Sequence, residues 1–170
     1  MWARQGGRIM KQQHLAKWLK VIVIGMALCG LVIFGLLMPR LVYSILTLDP
    51  DWCGGWLIDA WVIFIWIAAI PCYWVLGIVW KIANEIRADR SFTIENSLRV
   101  KRIMILALAD SAFVFTVNVV FLFMNMNHPG VLIASLFVCF AGVVIAVFAG
   151  CVSHLVHKAA LLREENEAFV

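Results

Sequence analysis

Several polar side chains lie within long apolar blocks of this sequence, and we consider three whose types could do chemistry there. Asp110 and Asn118 belong to one block, and His154 lies near the end of the last block. An ionisable group at membrane depth is costly, so it usually pairs with another polar group or serves transport or proton relay. These residues therefore predict an intramembrane polar site, provided that the blocks pack together.

Asp110 allows two interpretations. If the last two blocks form an antiparallel hairpin, we expect His154 or Lys158 to approach Asp110, and either contact would clamp two helices. The alternative is a small transporter, channel or immunity-type protein that uses Asp110 as a proton- or ligand-responsive site. His154 and His157 are three residues apart, but two histidines without a further ligand do not predict a metal site.

The sequence lacks the common motifs of catalysis. It has no Gly-rich phosphate loop, no HExxH, no GxSxG and, among its five cysteines, no CxxC. A membrane enzyme that forms disulfides would need paired cysteines. We therefore expect a protein that is not an enzyme, with no catalytic residue, no cofactor and no bound metal.

Four apolar blocks must position these polar residues. Only 14% of the 170 residues are charged and 64% are hydrophobic, whereas about a quarter of the residues in a soluble domain are charged. A transmembrane helix needs about 20 apolar residues and satisfies its own backbone hydrogen bonds. The predicted fold class is all-α, a polytopic membrane protein with four transmembrane helices, at residues 19–38, 56–80, 103–126 and 131–156.

Basic residues are distributed unevenly around these blocks. Five lie in residues 1–20 and six in residues 81–102, whereas the connection after the third block has none. Lys and Arg favour the cytoplasmic side of a membrane. We therefore predict a membrane protein with both termini and the central segment in the cytoplasm. Its parts are a basic segment (1–18), a transmembrane domain (19–158) with a cytoplasmic loop (81–102), and a tail (159–170).

The net charge of +4 needs no nucleic acid to explain it. Basic residues beside membrane helices are attracted to anionic lipid, worth about 1 kcal/mol each. The lipid bilayer is therefore the expected partner, and no direct nucleic-acid contact is predicted. Met1 and Met10 both remain possible translation starts.

Small residues recur at helical spacing along the fourth block. Helices in lipid associate through close packing of such residues. The stripe therefore predicts contact with a neighbouring helix, within the chain, in a homo-oligomer formed through the fourth helix, or in a larger complex. Its members are Ser135, Cys139, Gly142, Ala146, Ala149 and Ser153. In the second block, Pro71 is expected to kink the helix.

The central loop has the pattern of an ordered connection. Residues 81–90 continue the second helix, and Ser91 or Thr93 is a suitable N-cap for a new helix with Glu95 in its first turn. Phe92 precedes the cap, where an apolar side chain can staple onto the helix. The new helix is expected to continue into the third span.

The stretch IRADRSFTIENSLRVKRI resembles the central cytoplasmic segment of the bacterial domain-of-unknown-function 2975 family. The Phe, Asn and Arg of the family pattern fall on Phe92, Asn96 and Arg99. The sequence departs from the pattern at Arg90-Ser91, where members have a small residue. The resemblance implies a bacterial inner-membrane protein of no established activity that senses or tethers a cytoplasmic helix-turn-helix regulator, because such regulators are often encoded beside family members.

The central loop has ordered amphipathic structure where a spacer would suffice, so we expect the regulator to bind there. Phe92, Asn96 and Arg99 are the predicted regulator-binding residues, and the acidic tail REENEAF (163–169) is a second predicted contact.

Overall fold

Helices form every regular element in the part of the chain that the computed structural model describes. That part comprises residues 2–46, 55–88, 91–127 and 129–168, with side chains described for 13–44, 56–88, 91–127 and 129–166. The elements are α1 (Trp2–Val32), a π-helical segment (Ile33–Leu37), α2 (Met38–Leu46), α3 (Gly55–Arg87), α4 (Ile94–Phe123) and α5 (Pro129–Ala168).

Four helical stretches are long and apolar enough to cross a membrane. They are Gln13–Ser44, Trp56–Arg87, Ile94–Phe123 and Pro129–Asn166. The predicted all-α fold with four transmembrane helices is confirmed. Each stretch is longer than the apolar block that predicted it, because polar residues at the block ends continue the same helix.

The first span contains Pro39, which lies just after a π-helical segment of the same continuous helix. The apolar block predicted for this span stops at Met38, but α2 continues to Leu46. Proline lacks an N–H, and its ring crowds the carbonyl four residues earlier, which here belongs to Gly35. The π-helical segment Ile33–Leu37 lies at this turn. A π-helical turn is wider than an α-helical one, so the helix accommodates Pro39 without ending.

The second span is one helix, α3, which runs without interruption through Pro71. Its residues 81–87 extend beyond the apolar block, as predicted for the start of the central loop. The proline therefore does not divide the span, and the kink expected there stays a prediction.

The helix α1 packs against α3 through a close contact. Tyr73 of α3 donates a hydrogen bond from its hydroxyl to the carbonyl of Ala27, over 3.3 Å. A Cβ added to Gly30 would lie 3.1 Å from the same hydroxyl oxygen. Nearer the chain start, Lys20 Nζ lies 5.1 Å from the ring centroid of Trp80, a distance suited to cation–π attraction.

Aromatic rings join α3 to α4. Trp61 and Phe64 of α3 contact Phe121, with ring centroids 4.9 and 6.0 Å away. Phe64 also lies 5.7 Å from Phe113. Such edge-to-face and tilted pairs add attraction beyond the area they bury. They belong to a buried apolar cluster that includes Leu57, Ile65, Val114 and Met126.

The small-residue stripe of α5 faces α4 of the same chain. Ala146, Ala149 and Ser153 are buried, and a Cβ added to Gly142 would overlap Ser111 Oγ. The stripe therefore makes the contact within the chain that was one of the alternatives left open by the sequence. Among the described residues, α1 and α5 share no extensive contact, so the spans form a row of consecutive pairs.

The basic segments of the chain lie at one end of this row of helices. Lys20 meets Trp80 there, Arg99 pairs with Glu85, and Ser97 bonds Ser153. We call it the basic end: it contains the last turns of α3 and α5 and the first turns of α4. The opposite end contains the turn between α4 and α5.

Candidate functional site

The turn between α3 and α4 is built on an N-cap. Thr93 has extended backbone angles (φ −129°, ψ 153°), and its side chain accepts a hydrogen bond from the N–H of Asn96 at 3.3 Å. Its carbonyl accepts from the N–H of Ser97 at 3.1 Å. Glu95 adds negative charge to the first turn, where the helix dipole favours it. The predicted cap and helix start are confirmed, with Thr93 and not Ser91 as the cap.

Asn96 fixes the chain that enters α4. It is only 2% exposed, and its Nδ2 donates to the carbonyl of Ser91 at 3.2 Å. Its Oδ1 accepts from Arg99 Nη1 at 3.0 Å. Both polar groups of the amide are therefore used to hold the turn, which makes Asn96 a positioning residue.

Arg99 connects the two helices that flank the turn. Its guanidinium pairs with Glu95 at 2.5 Å on α4 and with Glu85 at 3.6 Å on α3. Because it also donates to Asn96, one side chain ties the end of α3 to the start of α4. The sequence analysis placed Glu85 in a polar helix end but did not predict its ion pair with Arg99. The signal that could have indicated the pair was an acidic residue on the helix before the turn.

Phe92 is a large apolar residue of this turn that is exposed. Its side chain is 53% exposed. The apolar staple predicted for it lacks an apolar partner, because the fourth residue of the helix is Ser97, which faces Ser153. Arg90, where the sequence departs from the family pattern, lies outside the described residues.

A reciprocal pair of serines joins α4 to α5 beside this turn. Ser97 Oγ donates to the carbonyl of Ser153, and Ser153 Oγ donates to the carbonyl of Ser97, both at 2.9 Å. The two side chains are buried. Ser153 was recognised in the sequence only as a small residue, and Ser97 was not singled out.

The three predicted members of the intramembrane polar site lie in three different places. Ser97 meets Ser153 at the basic end, and Ser111 meets Gly142 farther along the hairpin. Asp110 is thirteen residues beyond Ser97, roughly 20 Å along the helix axis at about 1.5 Å per residue. The expected approach of His154 or Lys158 to Asp110 is therefore wrong: the spans are antiparallel, but their register places both residues at a different depth from Asp110.

Asp110 lies where α4 passes both of its neighbours. It interacts electrostatically with Cys72 on α3 and Cys139 on α5. Its Oδ1 is buried and has no hydrogen-bond partner within the described part of the chain. The neighbouring Ser111 donates to the carbonyl of Ala107 at 2.8 Å, so its hydroxyl is not turned to the carboxylate.

Asn118 belongs to the turn at the opposite end. It is 2% exposed, and its Nδ2 donates to the carbonyl of Val114 at 2.9 Å. Its Oδ1 accepts from Asn127 Nδ2 at 3.0 Å. Asn118 thus fastens the chain after α4 back onto the helix. The sequence did not single out Asn127, which lies in the hairpin stretch NMNHPG.

The same turn closes α4 with a Schellman motif. Asn125 has a positive φ of 57°. The N–H of Met126 donates to the carbonyl of Phe121 at 2.8 Å, and that of Asn125 donates to the carbonyl of Leu122 at 3.0 Å, which is the pattern of this helix end. Trp61 Nε1 then donates to the carbonyl of Met126 at 3.3 Å, so α3 also holds the turn.

His154 and His157 are exposed at the basic end. They line a groove between α4 and α5 together with Lys101. Within the described residues, no three His, Cys, Asp or Glu side chains are grouped as a metal site would require.

Comparison with known proteins bears on the whole of this arrangement. A family model described as "Protein of unknown function (DUF2975)" matches residues 18–170. The chain belongs to this family. The resemblance seen in the central segment is thereby confirmed, and the match extends over all four spans of this DUF2975 protein.

A bacterial relative agrees with the membrane assignment. The "Uncharacterized membrane protein YoaS" of Bacillus subtilis (strain 168) is 28% identical over 152 residues, which cover 88% of this chain and 92% of the relative. No match was found among solved structures. The DUF2975 chain is a multi-pass membrane protein, and the alignment with YoaS spans nearly the full length of both proteins.

Proposed function

We propose that this DUF2975 protein is a non-enzymatic protein of the bacterial inner membrane that senses or tethers a cytoplasmic helix-turn-helix regulator through its central loop. The observation that supports it is the exposed Phe92 on a turn fixed by the Thr93 cap and the Arg99 ion pairs. A connection between two spans needs no such order. Large aromatic side chains on a rigid support are typical of residues that dominate protein interfaces.

The three predicted regulator-binding residues have different parts in this proposal. Phe92 contacts the regulator. Asn96 and Arg99 hold the turn, because their polar groups are engaged with Ser91, Glu85 and each other. Loss of Asn96 should therefore weaken binding by releasing the turn, whereas loss of Phe92 should weaken it with the turn intact.

The acidic tail supplies a second contact for the same regulator. Glu164 and Glu165 are exposed near the end of α5, which lies at the basic end with the central loop. DNA-binding modules carry a basic face for phosphates, and an acidic segment is complementary to that face. A tethered regulator would then be held away from DNA while the tail occupies its basic surface.

We infer that both termini and the central loop are cytoplasmic. The support is the basic end itself, which gathers the loop and the last turns of α5 on one side, where Lys and Arg favour the cytoplasm. A membrane-impermeant maleimide applied to intact cells should not label a cysteine introduced at Phe92 in a cysteine-free variant. It should label one at Asn125, and the reverse pattern would overturn the orientation.

Recovery of the regulator from solubilised membranes tests the function. Phe123 is a matched control for Phe92, because it is also an exposed phenylalanine, at 86%, but lies at the opposite end. Wild type and Phe123→Ala should recover a helix-turn-helix protein, and Phe92→Ala should recover at least about ten-fold less, as expected for a central aromatic contact. Equal recovery by all three proteins would remove the loop from this role.

Asp110 supports the second candidate, a small transporter, channel or immunity-type protein. The specific observation is the buried Oδ1 without a hydrogen-bond partner in the described residues, since such a group at membrane depth is a functional hypothesis by default. Asp110→Asn should then abolish a flux or resistance phenotype at unchanged expression. If expression alone falls, Asp110 serves the packing of α4.

A homo-oligomer remains a further proposed partner. Because the small-residue stripe packs against α4, an oligomer through the fourth span would use the opposite face of α5, where Phe137, Phe140 and Phe148 are exposed. The mass of the protein in detergent, measured by light scattering, would show whether such an assembly forms.

A further inference from the structure

A groove of about 280 Å³ opens between α4 and α5 at the basic end. Lys101 lines it from α4, and His154 and His157 line it from α5. All three side chains are exposed. Two helices thus bring an ammonium group and two imidazoles, each able to donate N–H hydrogen bonds, to a single volume.

The rest of the lining is apolar or already satisfied. Leu98, Met104 and Gly150 also line the groove, and a Cβ added to Gly150 would lie 2.9 Å from Met104 Sδ. The serines at its floor use their hydroxyls on each other's carbonyls. The donors left for a ligand are therefore those of Lys101 and the two histidines.

The groove crosses the boundary of the apolar span. The apolar block of α4 begins at residue 103, so Lys101 lies just before it and Met104 just inside it. These two residues are about 4.5 Å apart along the axis, at about 1.5 Å per residue. A ligand that fits must be anionic at one end and apolar at the other.

We propose that this groove binds one anionic phospholipid. Lys101, His154 and His157 contact the phosphate and headgroup, and an acyl chain lies along Met104 and Gly150. Basic pockets between transmembrane helices at the cytoplasmic face have the chemistry to bind such headgroups. The site rests on the geometry of the groove and is independent of the regulator.

Lipid retention by the purified full-length protein tests the site. The protein is exchanged into detergent with phosphatidylglycerol or phosphatidylcholine, and bound lipids are counted by native mass spectrometry. Lys101→Gln and the double variant His154→Gln/His157→Gln should each lower retained phosphatidylglycerol at least about five-fold, the effect of one basic contact near an anionic surface. Lys101→Arg should retain it.

Two controls remove a charge from the same region outside the groove. Arg102 and Lys158 are exposed and are the sequence neighbours of Lys101 and His157, and neither lines the groove. Arg102→Gln and Lys158→Gln should change retention by less than about two-fold. Equal losses in all four variants would overturn the proposal in favour of diffuse attraction.

Separate arms distinguish the lipid from its headgroup. Inorganic phosphate and glycerol 3-phosphate share the phosphate but lack acyl chains. If the lipid occupies the groove as proposed, neither compound at equal concentration should displace phosphatidylglycerol. Displacement by either one, or equal retention of phosphatidylcholine, would overturn the assignment to an anionic phospholipid.

Discussion

The two described turns that flank α4 use buried asparagines to hold different structures. At the opposite end, Asn118 and Asn127 are buried and bond each other, and Trp61 holds the carbonyl of Met126. At the basic end, Asn96 is equally buried, but the turn it supports leaves Phe92 53% exposed. Both ends of α4 therefore carry an exposed phenylalanine, but Phe123 is the last residue of the helix itself, whereas Phe92 lies within the turn that Asn96 and the Thr93 cap hold in place.

This difference does not come from the asparagines themselves. Two asparagines of α4, Asn96 and Asn118, have the same 2% exposure and both accept a hydrogen bond through Oδ1. Burial of an asparagine is therefore no guide to a binding role here. What distinguishes the turns is what each amide holds: Asn118 bonds Asn127 in the turn that closes the hairpin, whereas Asn96 holds the backbone beside Phe92 through the carbonyl of Ser91.

The largest effect on stability should follow from Gly142→Ala, which loosens the hairpin that carries both turns. The added Cβ would overlap Ser111 Oγ, and overpacking a close contact costs about 1–3 kcal/mol. We expect the free energy of unfolding, measured in detergent micelles, to fall by an amount near the upper end of this range.

The matched control for Gly142→Ala is Gly77→Ala. A Cβ at Gly77 meets no atom within 4 Å, so this variant should be neutral or slightly more stable because alanine favours helix. A similar change in both variants would mean that α4 and α5 do not approach as closely as described.

Asn118→Ala should destabilise the protein by about 2 kcal/mol. It removes the acceptor of Asn127 Nδ2, and a buried polar group left without a partner costs about 1–3 kcal/mol. Thr116→Val is the control, since Thr116 is exposed and bonds only within its own helix, to Ala112. Thr116→Val should lower the free energy of unfolding by less than about 0.5 kcal/mol. If the two variants have the same free energy of unfolding, the turn between α4 and α5 does not depend on its buried amides.

Arg99→Gln should cost about 1 kcal/mol, because Asn96 Oδ1 loses its donor and the pairs with Glu85 and Glu95 are weakened. Arg102→Gln removes the same charge from an exposed site and should change stability by less than about 0.5 kcal/mol. Thermal unfolding of both variants at low and high salt measures this. A salt dependence shared by the two variants would assign the effect to net charge.

Phe92→Ala should have the smallest effect on stability, below about 0.5 kcal/mol, as expected for a residue that lies largely outside the packed structure. The same thermal unfolding experiment measures it. A loss above about 1 kcal/mol would show that Phe92 packs against the protein, and its role as an outward contact would then be lost.

The sequence predicted the helices and the capped turn because both depend on local patterns. Long apolar runs require helices in a bilayer, and a Thr followed by Glu and Asn marks a helix start. The family membership was likewise visible in Phe92, Asn96 and Arg99. These features need only residues that are near each other in the chain.

The sequence could not predict features that depend on register between helices. His154 was expected beside Asp110, but a shift along an antiparallel pair is fixed by contacts such as Ser97 with Ser153 and Ser111 with Gly142. The π-helical segment before Pro39 and the pairing of Asn118 with Asn127 also arise from three-dimensional packing. Composition and spacing do not specify these contacts.

Site-specific photocrosslinking in living cells tests the central claim most directly. A photoreactive phenylalanine analogue is placed at Phe92 in one protein and at Phe123 in another, and the crosslinked products are identified by mass spectrometry. If the turn between α3 and α4 binds the regulator, we expect an adduct with a helix-turn-helix protein from position 92 and none from position 123. The absence of that adduct at position 92, or its appearance at both positions, would contradict the account.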